Sequence, residues 1–133
     1  MGMPDVLVLG AENGTDNVLK YRVSSQYLPL GILAKIDMET EPVYGDICEG
    51  DRILLCSDGV SDALNENEEC FGLARYEQAA TAAVQSFVSV IAALEDFCAG
   101  HPCNDDVSLV EIHCMPGLLK SQITKQIHDD ALQ

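Results

Sequence analysis

The chain has 133 residues, of which 47% are hydrophobic, and its 22 acidic and 7 basic residues give a formal net charge of −15. This length and apolar fraction fit one domain with a packed core, and no apolar run is long enough to predict a membrane-spanning helix. Because no cluster of Lys and Arg could follow a phosphate backbone, the composition argues against nucleic-acid binding.

The first half of the sequence predicts extended segments. Apolar residues favour strands at 6–9 and 18–23, separated by a turn signal at Asn13-Gly14. The apolar segment 27–33 contains a proline and a glycine that oppose a regular helix. Further extended segments are predicted at 43–44 and 52–56, the latter preceded by the turn signal Gly50-Asp51.

The second half of the sequence changes to a helical pattern. Apolar residues at steps of three and four predict one helix over 76–97, ended by Gly100 and Pro102. Its apolar face is predicted to consist of Val84, Phe87, Val88, Ile91 and Leu94. The segment 107–112 then predicts a strand covered on both sides, because its apolar residues fall on both faces. A short helix is expected in the tail.

Six cysteines in a short chain suggest either disulfides or a zinc site. There is no Cys-x-x-Cys pair, and the group formed by Cys98, His101 and Cys103 matches no standard set of zinc ligands. The start of the sequence lacks a basic segment before its apolar residues and is a poor signal peptide. We therefore expect reduced thiols and a cytoplasmic location.

The acidic residues cluster before and within the segment 50–72. Such a surface either keeps the protein soluble or attracts cations or a basic partner, and the composition leaves both interpretations open. The residues concerned are Asp37, Glu39, Glu41, Asp46, Glu49, Asp51, Asp58, Asp62, Glu66, Glu68 and Glu69.

Two of the acidic segments follow or precede predicted strands. Asp58-Gly59 comes directly after the apolar segment 52–56, and Asn104-Asp105-Asp106 comes directly before the last strand. Carboxylates on loops at the ends of adjacent strands could bind one hard cation, for which oxygen ligands favour Mg²⁺ or Mn²⁺ over zinc. The alternative is that each aspartate caps a turn or a helix, and spacing alone favours that alternative.

Taken together, the motifs resemble a known family. The run GDRILLCSDGVSDALNENEECFG (50–72), the later run NDDVSLVEI (104–112) and the upstream LPLGI (28–32) occur in that order. They resemble the metal-dependent protein phosphatases of the protein phosphatase 2C type (the PPM superfamily), and most closely their bacterial SpoIIE/RsbU-like branch. The resemblance covers most of residues 3–113.

The resemblance implies an α+β fold, an α-β-β-α sandwich in which two antiparallel sheets are flanked by helices. It also implies two Mn²⁺ or Mg²⁺ ions that activate water against a phosphoserine or phosphothreonine of a signalling protein, of the anti-sigma antagonist type. A place as the output domain of a bacterial response regulator is the implied setting.

The resemblance also assigns roles to individual residues. By motif position, Asp58 and Asp105 match metal ligands. Asp106 matches a position that supports a ligand, Asp62 matches an acidic position that supports an accessory metal, and Gly59 shapes the turn after Asp58.

The sequence departs from the family pattern in one respect. Its early part has neither the acidic motif that bridges both metals nor the Gly-His-Gly segment that follows it. We therefore expect residues 3–114 to be the C-terminal portion of the phosphatase domain, residues 115–133 to be a tail, and the chain alone to be inactive. An alternative is a catalytically incomplete module that acts by binding a protein. We also expect a homo-oligomer, paired through the strands 6–9 and 107–112 as sheet edges.

Overall fold

The computed structural model describes residues 3–12, 15–24 and 44–115. The described elements are β1 Val6–Glu12, β2 Thr15–Val23, β3 Arg52–Cys56, α1 Asp58–Ser61, α2 Gly72–Ala82, α3 Ser86–Cys98 and β4 Leu109–His113. The strands form one antiparallel sheet in the order β2-β1-β3-β4. This confirms the α+β class, whereas the second sheet of the sandwich stays a prediction.

One face of the sheet packs against α2 and α3. Leu7 of β1 lies opposite Leu54 of β3, and both side chains are fully buried. Tyr76 of α2 is also buried, and its hydroxyl donates a hydrogen bond to the Leu54 carbonyl at 3.4 Å. Burial, together with the neighbouring Cys56 thiol, raises the pKa of Tyr76 well above its ordinary value. The helices therefore bury the middle of the sheet.

The helix predicted over 76–97 is two helices. α2 ends at Ala82, Ala83 is extended, and α3 begins at Ser86. The buried side of α3 consists of Ser86, Val90, Leu94 and Cys98, at steps of four. The predicted apolar face is therefore wrong in part: Leu94 is buried, but Val84, Phe87 and Val88 are 61%, 41% and 58% exposed. None of the described helices has the length and hydrophobicity needed to cross a bilayer.

A buried hydrogen-bond network explains the break between the two helices. Arg52 is 5% exposed, and its Nη1 donates to Ser86 Oγ at 2.9 Å and to the Val84 carbonyl. Its Nη2 donates to Asn17 Oδ1, and Asn17 Nδ2 donates to the Ala80 carbonyl at 3.1 Å. Backbone carbonyls at the end of α2 are thereby bound by side chains from β2 and β3, so the turn is fixed to the sheet.

The structure corrects one of the two predicted edge strands, and it corrects the prediction that the last strand is covered on both sides. β1 pairs with both β2 and β3, so the strand predicted over 6–9 is central, and β2 and β4 are the edges of the described sheet. β4 begins at Leu109, and it is not covered on both sides, since Val110 and Ile112 are 53% and 48% exposed. The alternation of side chains places these two on the face opposite α3.

Several predictions fall outside the described residues. These are the Asn13-Gly14 turn, the extended segment 27–33, Val43 and the tail helix; Tyr44 is described, and it belongs to no strand.

A partly buried ion pair holds the turn that precedes β3. Lys20 Nζ donates to Asp51 Oδ2 at 2.8 Å, and the Cys48 N–H donates to the same oxygen at 2.8 Å. The Asp51 carboxyl is nearly inaccessible. Burial alone would raise the pKa of Asp51, but the hydrogen bonds from Lys20 and Cys48 outweigh it and hold this pKa below its ordinary value.

We expect this ion pair to make the free energy of unfolding depend on pH in the acid range. Because the pKa of Asp51 is lower in the folded state than in the unfolded state, its stabilisation is complete above the unfolded-state pKa. It is lost as the pH falls through the folded-state pKa. In urea titrations between pH 7 and pH 2, Asp51→Asn should lower the free energy of unfolding at pH 7 and flatten its decline in acid. Glu49→Gln, an exposed neighbour, is the control. A decline equally steep in Asp51→Asn would contradict the assignment.

Candidate functional site

The apolar strand β3 delivers Asp58 to the end of the sheet. β3 ends at Cys56, Ser57 is extended, and Asp58 is the first residue of the short helix α1. The Asp62 N–H donates to the Asp58 carbonyl at 2.8 Å, which places Asp62 one turn further along. Val60 and Ala63 are buried in the core, so α1 is held firmly. Asp58 and Asp62 are both partly buried.

Hydrogen bonds join this loop to the loop before β4. The Ser57 N–H donates to the Ser108 carbonyl at 2.9 Å, and the Ser108 N–H donates to Ser57 Oγ at 3.0 Å. The Ser57 hydroxyl in turn donates to the Asp106 carbonyl at 3.2 Å. These bonds continue the pairing of Cys56 with Leu109 beyond the end of the strands. The two acidic segments predicted to meet do lie side by side.

Gly59 lies close against the backbone of the loop before β4. A Cβ atom at this position would lie 2.2 Å from the Asp106 carbonyl oxygen and 2.9 Å from the Asp106 carbonyl carbon. Gly59 is buried within α1 and is not among the glycines of the described chain with positive φ. Glycine is needed here because the neighbouring backbone leaves no room for a side chain, rather than because the turn needs an unusual φ.

Asp105 and Asp106 differ from Asp58 in their surroundings. Both are exposed, and Asp105 Oδ1 accepts the Asp106 N–H at 2.8 Å. The structure thus brings together Asp58, Gly59 and the backbone of Asp106, with Asp105 at the exposed side of the same loop. Whether any of these carboxylates binds a metal stays a prediction.

The donor set can be compared with the needs of a metal ion. Carboxylate oxygens on rigid supports are the ligands that Mg²⁺ and Mn²⁺ prefer, so the residue types fit. Within residues 3–12, 15–24 and 44–115, however, no three or more His, Cys, Asp and Glu side chains come together as a metal site. The two loops therefore fit as part of a ligand set that needs further donors.

Ser57 is a site residue that the sequence reasoning did not single out. Its hydroxyl and backbone make the hydrogen bonds that hold the two acidic loops together. The signal in the sequence was its place, a hydroxyl residue between the buried strand and Asp58. The role of Ser57 in fixing the loops cannot be inferred from the local sequence, because its partner Asp106 lies 49 residues further along the chain.

Comparison with known proteins assigns these loops to a family. The family model described as Stage II sporulation protein E (SpoIIE) matches residues 1–114. No curated protein and no solved structure matches the chain. The family is one of phosphatases and is generally metal-dependent. Since the match spans most of the chain and includes both acidic loops, the chain belongs to the SpoIIE family.

Proposed function

We propose that this chain contributes the last two acidic loops of a metal-dependent protein serine/threonine phosphatase. The observation that carries the proposal is the junction of the two loops, in which Gly59 lies against the Asp106 backbone and Ser57 bonds to both Asp106 and Ser108. The family match supports the same conclusion, because the loops fall within it.

We assign each residue a role in metal binding according to its position. Asp58, on the core-anchored helix α1, and Asp105, on the exposed loop, would hold Mn²⁺ or Mg²⁺. Asp106 would orient that loop, and Asp62 would serve an accessory ion. When bound, the metals supply an acidified water and neutralise phosphate charge. The chain itself fixes Asp58 on a short helix whose Gly59 and Val60 are buried.

The proposed substrate is a phosphoserine or phosphothreonine of a signalling protein, of the anti-sigma antagonist type. The exposure of Asp105 and Asp106 supports a protein substrate, since the loop stands at the surface and would be reached without opening a cavity. A place as output domain of a bacterial response regulator and a cytoplasmic location belong to the same proposal and rest on the family resemblance.

Phosphate release tests the proposal. We expect the natural polypeptide that contains these residues to release phosphate from a phosphoserine protein with Mn²⁺ or Mg²⁺, and to lose this activity in EDTA. We expect the 133-residue chain alone to give no turnover of p-nitrophenyl phosphate in excess Mn²⁺, because its sequence lacks an earlier acidic motif. Release that persists in EDTA, or no release with either ion, would exclude the metal-dependent phosphatase.

A second candidate is a phosphatase-like module that acts by binding a protein. It is favoured by the absence of a three-ligand metal group among the described residues. Two measurements distinguish the candidates. The binding module would retain its protein partner in EDTA, and it would release no phosphate.

The exposed apolar side chains lead to a prediction about assembly. Val110 and Ile112 on the edge strand β4 are half exposed, as are Val84, Phe87 and Val88 near the start of α3. Unpaired strand edges and apolar patches favour association, so we expect the chain to form a dimer with a second copy. Light scattering at tens of micromolar should give twice the monomer mass, and Val110→Lys should restore the monomer. A monomeric parent chain would contradict this prediction.

A further inference from the structure

The end of α3 and the loop that leads to Asp105 bring two cysteines together. Cys98 is the last residue of α3 and is 5% exposed. Ala99 and Gly100 follow with φ of 46° and 86°, and the His101 N–H donates to the Cys98 carbonyl at 2.8 Å. This reversal ends the helix and turns the chain back across its last turn. Cys103 follows on the returning segment.

The two thiols are neighbours in one cleft. Cys98 and Cys103 both line it, together with Leu94 and His101. Burial raises the pKa of Cys98, and the thiol of Cys103 raises it further. Cys103 itself is exposed. One sulfur is therefore open to a reagent from solvent, and the other is protected within the same cleft.

We propose that Cys98 and Cys103 form a reversible disulfide when the protein meets hydrogen peroxide, and that this bond restrains the loop carrying Asp105. The Cys103 sulfur attacks the peroxide, the O–O bond breaks, and a sulfenic acid and one water form. The Cys98 sulfur then attacks the Cys103 sulfur and expels a second water. Both thiol protons leave in the waters, the two sulfurs are oxidised, and the peroxide is reduced.

The position of the two cysteines determines how a disulfide between them would affect the loop that carries Asp105. Cys103 lies two residues before Asp105 in the sequence, and the Asp106 carbonyl is held by Ser57 on the other side. A bond from Cys103 to the end of α3 would fix the loop at both ends. The effect on metal binding rests on the proposed function, whereas formation of the disulfide does not.

Peptide mass mapping tests the disulfide on the full chain. After treatment with hydrogen peroxide and blocking of free thiols, digestion at acidic residues releases Phe97–Asp105, which contains Cys98 and Cys103 but not Cys114. We expect this peptide to lose two hydrogen atoms and to regain them in dithiothreitol. Cys70→Ser, which removes an exposed cysteine elsewhere, should leave the loss unchanged.

Cys103→Ser, an exposed substitution, should abolish the loss. Oxygen added to Cys103 without loss of hydrogen, or a bond from Cys103 to any other cysteine, would overturn the proposal.

Calorimetric titration with Mn²⁺ tests the link to the site in the natural polypeptide. We expect the oxidised and reduced forms to differ in affinity, and this difference to vanish in Cys103→Ser. Equal affinity in both forms would overturn the link while the mass loss still supports the bond. Failure of both forms to bind Mn²⁺ would contradict the proposed function, and the link with it.

Discussion

Asp58→Asn and Asp105→Asn should each reduce phosphate release by more than about 100-fold in the natural polypeptide that contains these residues. Each change keeps the side-chain size but removes the negative charge that a hard cation requires. Loss of an outer partner of a metal ligand alone typically costs about 10- to 100-fold, so loss of a ligand should cost more. The measurement is kcat/KM for a phosphoserine peptide at saturating Mn²⁺.

Two comparisons make this result specific. Glu66→Gln removes an exposed charge from the same acidic segment and should leave kcat/KM unchanged. Asp106→Asn should be milder than Asp105→Asn, because the backbone of Asp106, and not its carboxylate, makes the contacts with Ser57 and Gly59. Thermal melting should show that all four variants fold. If Asp106→Asn were the more damaging of the adjacent pair, Asp105 would not be the ligand.

The sequence predicts the position of each acidic loop because it contains both an apolar strand segment and the aspartates next to it. The apolar segment that becomes β3 is followed closely by Asp58. The residues after a strand must lie at the end of the sheet where that strand stops. The same reasoning places Asp105 and Asp106 just before β4. What the sequence does not contain is the distance between the loops, which depends on the antiparallel pairing of β3 with β4.

The break between α2 and α3 shows why local patterns fail. Apolar residues continue at helical spacing through Val84 and Phe87, so periodicity predicts one helix. The structure ends α2 because Arg52 and Asn17 bind backbone and hydroxyl groups at the turn. These two side chains come from strands more than 30 residues away in the sequence. A tertiary interaction of this kind overrides the local preference.

The order of the strands in the sheet also depends on tertiary interactions. β1 is central because β3 pairs with it on the side opposite β2. A strand near the start of a chain gives no local sign of a second partner, and its apolar residues fit an edge or a centre equally well. Leu7 and Leu9 are fully buried because strands lie on both sides of them and helices lie above them.

In the natural polypeptide that contains these residues, Gly59→Ala should both destabilise the fold and remove Mn²⁺-dependent activity. Helix propensity alone predicts the opposite sign for stability, since alanine is favoured over glycine within a helix by about 1 kcal/mol. The new Cβ would, however, lie 2.2 Å from the Asp106 carbonyl oxygen, and backbone cannot rotate away as a side chain can. The two acidic loops would have to separate, and overpacking of this kind typically costs about 1–3 kcal/mol.

The sign of the stability change decides between these accounts. Urea unfolding at pH 7 measures it, and Gly50→Ala is the matched control. At Gly50 no atom lies within 4 Å of the added Cβ, and φ is +86°, so this variant reports backbone strain without a steric clash. We expect Gly50→Ala to lose stability but to keep its activity, because the turn before β3 lies at the opposite end of that strand from Asp58. We expect Gly59→Ala to lose both. A Gly59→Ala variant that is more stable than the parent and equally active would show that the contact between the loops does not hold the site together.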